Sequence, residues 1–265
     1  MNALFECSLA LKNAKMQFSN NGFVRMKEIW DHYSAMRWAI CSPPLLDVHY
    51  HPTTGLWPSM QWFGELWEGA DIVPGDLSIV GHSDDPSLPI GRYFESLVCA
   101  FFERHPDFVV VARNVVMVSE GRTIGECDLV VQSNLTKEFF HIELGCKYYL
   151  SAENRGDWST WKGRNTQDTL QLKWDKLQQQ LHLFELPVGR AWLEERGISR
   201  IQPMCLLKGY AFVPQRSLDR ARLPKWHHPR QHVGWYLNLH EWPLEKNEIR
   251  QWILLPKAWW LVFPV

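Results

Sequence analysis

Carboxylates and a lysine inside apolar, strand-like runs are the part of this chain best suited to chemistry. Gly125-Glu126-Cys127-Asp128 lies in one such run, and His141-Ile142-Glu143-Leu144-Gly145-Cys146-Lys147 lies in the next. Side chains alternate faces along a strand, so Glu126 and Asp128 share one face of theirs and Glu143 and Lys147 share one face of theirs. If the two strands pair, the four polar groups converge. Such a set of oxygens suits a hard divalent cation, and a lysine beside it orients or deprotonates an attacking water. At about 3.3 Å per residue, the Cα atoms of Glu143 and Lys147 stand roughly 13 Å apart on a regular strand, so both side chains must lean inward to share an ion. Gly145, between them, leaves room for a metal or a phosphate to approach the backbone. A one-residue bulge there would instead change which side chains share a face.

The elements that must position these groups follow from periodicity. Phe94, Leu97, Val98, Phe101 and Phe102 recur at helical spacing from Ile90 until His105-Pro106 stops the run. Phe108 to Val118 is rich in β-branched residues, Glu120-Gly121 offers a turn, and Thr123 to Val131 continues as strand, which predicts a hairpin. Ser133 to Lys137 makes a second turn before Phe139 to Leu150, giving three consecutive antiparallel strands. Leu170, Trp174, Leu177, Leu181 and Phe184 then predict an amphipathic helix ended by Pro187 and Gly189. Asn165 and Asp168 resemble its capping arrangement. Ile201 to Leu207 and Tyr210 to Val213 read as two further strands. Before this core, a helical segment around Lys27 to Ile40 precedes a stretch punctuated by Pro and Gly, and the Trp252 to Phe263 run reads as a buried terminal strand.

Composition narrows the function classes. The 265 residues carry a net charge of −1 with 46% hydrophobic and 22% charged residues, ordinary globular usage. No global field draws such a chain to nucleic acid or an anionic membrane, so any polyanion site is local. Six widely spaced cysteines without a CxxC pair predict free, mostly buried thiols in a reducing compartment. With no long apolar run at the N-terminus, the expectation is a cytoplasmic protein with no membrane partner.

The order helix, three strands, helix, strand, with an acid on the second strand and an acid plus lysine on the third, is similar to the PD-(D/E)XK nuclease superfamily. Within it the chain resembles the uncharacterised bacterial family called domain of unknown function 1853. The resemblance rests on Gly125-Glu126-x-Asp128, His141-x-Glu143-x-x-x-Lys147-Tyr148-Tyr149-Leu150, Trp161-x-Gly163-x-Asn165-x-x-Asp168-x-Leu170, Gly209-Tyr210-x-Phe212-x-Pro214 and His232-x-Gly234-Trp235. It implies an α/β fold with a restriction-endonuclease-like αβββαβ core over 86–214, its mixed central sheet flanked by helices. An N-terminal helical and irregular extension over 1–85 and a C-terminal extension over 215–265 complete the chain. It also implies Mg²⁺- or Mn²⁺-dependent phosphodiester hydrolysis on DNA, with RNA as the other candidate. Asp128 and Glu143 would hold the metal, Glu95 on the first helix would be a further ligand, and Lys147 would position the water. Glu126 is a second acid beside Asp128. The superfamily separates its second acid from the lysine by a single residue; here Gly145 occupies that slot and Glu143 sits one pleat earlier.

Plainer readings compete with these. Asp128, Glu143 and Lys147 also read as a structural ion pair at a sheet end, although burying three charges for structure alone seldom returns its cost. Asn165 and Asp168 read as a helix cap, yet a helix N-terminus also attracts phosphate, and Lys162 and Arg164 stand just before it. Between Arg216 and His232, five basic residues, among them Arg220 and Arg222, face one acid, with Trp226 interleaved. That loop suits a phosphate backbone and a stacked base, or simply a solvated face. The clusters His49/His51 and His227/His228/His232 match no zinc spacing. The functional alternatives to a nuclease are a non-catalytic nucleic-acid-binding module on the same fold and a Trp-rich scaffold for a protein partner.

Overall fold

A computed structural model describes residues 4–6, 32–47, 58–72, 89–151, 156–165, 167–224, 227–238 and 260–261. In chain order they form β1 (Leu4–Glu6), α1 (His32–Cys41), α2 (Met60–Gly69), α3 (Ile90–Arg104), β2 (Phe108–Ser119), β3 (Arg122–Ser133) and β4 (Phe139–Ser151). There follow β5 (Trp161–Lys162), α4 (Leu170–Leu181), α5 (Pro187–Glu194), β6 (Ile201–Pro214) and β7 (Val233–Leu237). The strands make one mixed, open sheet in the order β1-β7-β6-β4-β3-β2, with β5 added to β4. Pairing is antiparallel except at β4–β6 and β6–β7. No helix among the described residues is long and apolar enough to cross a membrane.

Each layer follows from a pattern in the sequence. The apolar stripe of α3 packs with α1 and α2 on one face of the sheet, against Leu129, Val131, Ile142, Leu144, Met204 and Leu206. The stripe of α4 covers the opposite face with Tyr149, Cys205 and Leu207. Beside it, Leu183, Phe184, Leu193 and Ile198 close over Met117, Cys127 and Val130. Along β4 the even residues Ile142, Leu144 and Cys146 therefore face α3, whereas His141, Glu143, Gly145, Lys147 and Tyr149 face the α4 side. The hairpin turn falls where expected. Ser119 pairs with Arg122 across Glu120 and Gly121, both at positive φ (51° and 74°), the signature of a two-residue primed turn.

Several expectations are corrected. Thr169, not the Asn165–Asp168 pair, caps α4, its side chain accepting from the Leu172 N–H; Asn165 is spent on the preceding turn, accepting from the Gln167 N–H. The α4 helix stops at Leu181. Phe184 belongs to the 3-10 turn after it, and Pro187 opens α5 at its first position rather than ending a helix. The two strands expected at Ile201 to Leu207 and Tyr210 to Val213 are one strand, β6, paired with β4 in unbroken register from Ile201 to Phe212. That register also excludes a bulge at Gly145. Of the Trp252 to Phe263 run, Trp260 and Leu261 are described and lie in a 3-10 turn; the rest lies outside the described residues, as do residues 27–31 of the first helical segment, His49 and His51. Cys41, Cys99, Cys127, Cys146 and Cys205 are free thiols, all but Cys41 buried.

Candidate metal centre at the opening of the sheet

The site begins with a break in the β-ladder. β3 and β4 pair from Gln132↔Phe139 to Leu129↔Ile142, and there the pairing stops. β3 runs on with β2 to Arg122, while β4 runs on with β6 to Leu150. Asp128 and Glu143, next in register, stand where the strands part. β2 supplies a local cause. Its register with β3 shifts between Val110 and Ala112, and Asn114, across from Asp128, takes φ 48°. Irregularities of this kind increase strand twist and turn the hairpin away. Asp128 Oδ2 accepts from the Leu144 N–H at 2.7 Å, a side chain standing in for the lost ladder bond.

Carboxylates gather in this opening. The Asp128 carboxyl is pushed up to about 7, first by burial and then by the charge of Glu143, with Glu95 adding to the effect while the Leu144 N–H and Lys173 pull downward. Glu95, on α3, is also raised, first by burial, with Glu126 and Glu143 adding to the effect against Lys173 and Arg92. Glu143 has no exposed surface. Its Oε1 accepts from His141 Nε2 at 2.6 Å, and its Oε2 is buried without a hydrogen-bond partner among the described residues. Glu126 is exposed at the rim, where its main-chain carbonyl accepts from Gln180 Nε2 at 3.2 Å.

Lysine enters from an unexpected place. A methyl group on Gly145 would stand 2.9 Å from Leu207 Cδ1, 3.3 Å from Lys173 Cε and 3.6 Å from Lys173 Nζ, so a β6 leucine and the α4 lysine together fill the space that the glycine leaves. Its charge is felt by Asp128, Glu95 and Cys205. Lys147 instead turns away, donating to Asp168 Oδ2 at 2.7 Å, and is not among the charges that Asp128 senses. Sequence reasoning missed Lys173. The signal for it was a lysine three residues after Leu170 and four before Leu177, on the buried stripe of α4, opposite a strand glycine in a row of functional side chains.

The predicted nucleic-acid contacts divide. Lys162 lies in β5 beside Leu150, and Arg164 and Asn165 are exposed in the turn that leads to Asp168. Arg222 is exposed. The side chain of Arg220 and all of Trp226 lie outside the described residues.

An open mixed sheet with Glu95, Asp128, Glu143 and Lys173 brought to one strand junction defines an α/β protein with a charged, carboxylate-rich site. The chain belongs to the family described as Domain of unknown function (DUF1853), whose model matches residues 34–265. Comparison with curated proteins and with solved structures gave no match.

The raised Asp128 carboxyl has a consequence for stability. A group whose folded pKa of about 7 exceeds its ordinary 3.8 supports the fold while protonated in both states, and that support is lost as pH rises through about 7. In metal-free buffer the protein is expected to lose stability between pH 4 and 7, by on the order of 4 kcal/mol from this group at most. Asp128→Asn keeps an acceptor for the Leu144 N–H and should flatten the trend. Urea midpoints at pH 5 and 7.5 for both proteins measure it; equal pH slopes in the two would remove Asp128 as the source.

Proposed function

We propose that this protein is a metal-dependent phosphodiester hydrolase of the PD-(D/E)XK, restriction-endonuclease-like type, acting on DNA in the cytoplasm. The observation that supports the reading is that the charges of Asp128, Glu143 and Glu95 act on one another at the strand opening, with Lys173 acting on Asp128 and Glu95. Three carboxylates are set against Lys173 and, at Glu95, Arg92, which leaves negative charge in excess, and the buried Glu143 Oε2, with no hydrogen-bond partner among the described residues, adds a hard donor. That donor set fits Mg²⁺ or Mn²⁺ held by Asp128 and Glu143, with Glu95 as a further ligand. Such an ion, when bound, stabilises negative charge on the phosphoryl oxygens.

The chain's own groups do the remaining work. Lys173, over the unsubstituted Gly145 backbone, orients the water that adds in line to phosphorus as the bond to the leaving sugar oxygen breaks. Lys147, fixed by Asp168, together with Lys162 and Arg164 on the adjoining turn, contacts flanking phosphates. His141 fixes one oxygen of Glu143 and leaves the other free.

Mn²⁺ titration of the wild type and Asp128→Ala, paired with cleavage assays on duplex, single-stranded and branched DNA and on RNA, tests the reading. Asp128→Ala should lose Mn²⁺ affinity and cleavage while keeping or gaining stability, because a carboxylate repelled by its neighbours has been removed. A stability loss of several kcal/mol with unchanged Mn²⁺ affinity would make Asp128 structural. RNA-only cleavage would move the substrate from DNA to RNA.

A further inference from the structure

We propose that Cys127, His141 and Glu143 form a second, inner site for a thiophilic divalent cation such as Zn²⁺, sharing Glu143 with the outer carboxylates. A ligand atom from each of the three lies within 4.8 Å of the other two, and all three side chains are buried. Sulfur, imidazole nitrogen and carboxylate oxygen together select zinc-like ions over Mg²⁺, which takes oxygen alone.

Two orphaned atoms point the same way. His141 Nδ1 and Glu143 Oε2 are buried without hydrogen-bond partners among the described residues. A histidine–glutamate pair kept only for structure accounts for the single 2.6 Å bond between them and leaves both remaining atoms unpaid for in hydrogen bonds. Among the described residues the Cys127 thiol makes only a weak 3.6 Å contact with the Leu129 carbonyl, which a metal bond outweighs. The walls are apolar: Phe184 stands edge-on to His141 at 5.0 Å between ring centres, and Met117, Val130 and Leu183 pack with Cys127. An ion there is shielded from water, which strengthens its bonds to the protein. The way in is the strand opening, since Cys127 adjoins Asp128.

Sharing Glu143 couples the sites. An ion held by Cys127 and His141 draws the Glu143 carboxylate inward and adds a repelling double charge, so it lowers the affinity of the outer carboxylates for Mn²⁺. The inner site stands whether or not the outer cluster cleaves phosphodiesters.

Titration of the full chain with Co²⁺ reads sulfur ligation directly as a near-ultraviolet sulfur-to-cobalt charge-transfer band. The band should saturate at one equivalent, bleach on adding Zn²⁺, persist in Asp128→Asn and vanish in Cys127→Ser. His141→Asn should weaken Co²⁺ binding by at least the ~10-fold that even an outer hydrogen-bond partner contributes. Prior Zn²⁺ loading should weaken Mn²⁺ binding in the wild type and not in Cys127→Ser. Should Cys127→Ser fail to fold, zinc-edge X-ray absorption on the unaltered chain decides the matter by requiring one sulfur neighbour at about 2.3 Å. No band in the wild type, a band that survives Cys127→Ser, or a zinc shell without sulfur overturns the proposal. A lost Mn²⁺ site in Asp128→Ala with the cobalt band intact bears on the outer cluster alone.

Discussion

Replacing Lys173 with methionine is expected to lower turnover by roughly 10²–10⁴-fold, the contribution typical of a side chain that orients or deprotonates the attacking nucleophile. Methionine keeps the length and apolar character of the stem and deletes the charge and its donors, so α4 should remain packed. At a pH high enough to ionise Asp128, Mn²⁺ affinity should stay level or rise a few-fold, because the ammonium that Asp128 and Glu95 feel competes with the ion for the same carboxylates. The Asp128 carboxyl, already at about 7, should move higher in the metal-free variant, since Lys173 pulls it downward in the wild type. The pH at which Mn²⁺ binding turns on then moves up with it. Lys147→Met is the comparison. That lysine is spent on Asp168 and is about a third exposed, so its loss should weaken nucleic-acid binding more than turnover. If Lys147→Met abolishes cleavage while Lys173→Met retains it, the strand lysine carries the reaction and the role given to α4 is wrong.

The contrast between the two lysines marks where the sequence was legible. Periodicity located α3, the hairpin, β4 and α4, because each buries one face and its spacing must follow 3.6 or 2 residues. Asp128 and Glu143 stood out as acids within apolar patterns, Glu95 entered only through the family resemblance, and the charges of the three act on one another in the fold. Lys147 was grouped with them by alternation along β4, and alternation does hold: it faces the α4 side with Glu143. Strand geometry fixes the face, not the direction in which a long side chain leans, and Asp168 decides that direction. Lys173 came from a helix whose register against the sheet no local pattern encodes. Cys127 and His141 meet across the last pair of ladder rungs before the strands part, so their proximity depends on where pairing ends. Glu120-Gly121 was readable because a two-residue hairpin demands positive φ; Thr169 was overlooked because the Asn165-to-Asp168 spacing imitates a cap one turn too early.

Gly209→Ala is expected to be among the most damaging single-methyl changes in this protein, at about 3 kcal/mol or more. Gly209 lies inside β6 at φ 140°, a backbone region that L side chains rarely adopt. An added Cβ would overlap the main-chain carbonyl of Lys147, the residue to which Gly209 pairs. Relief by sliding is blocked. β6 is held between β4 and β7, and the Gly209 carbonyl accepts from the side chain of buried Gln231. The adjoining Lys208 is fully buried, its ammonium donating to the Ile40 and Ser42 carbonyls at the end of α1, so the preceding residue is anchored as well. For a domain of this size the loss corresponds to a fall in melting temperature of roughly 6–12 °C. Gly197→Ala is the control: φ is also positive, 65°, but nothing among the described residues stands within 4 Å of the added carbon, so only the conformational cost of about 1 kcal/mol applies. The difference between the two variants isolates the overlap with Lys147. Equal losses would mean that β4 and β6 separate easily, and the Lys147–Asp168 contact would then rest on a yielding sheet rather than on a fixed one.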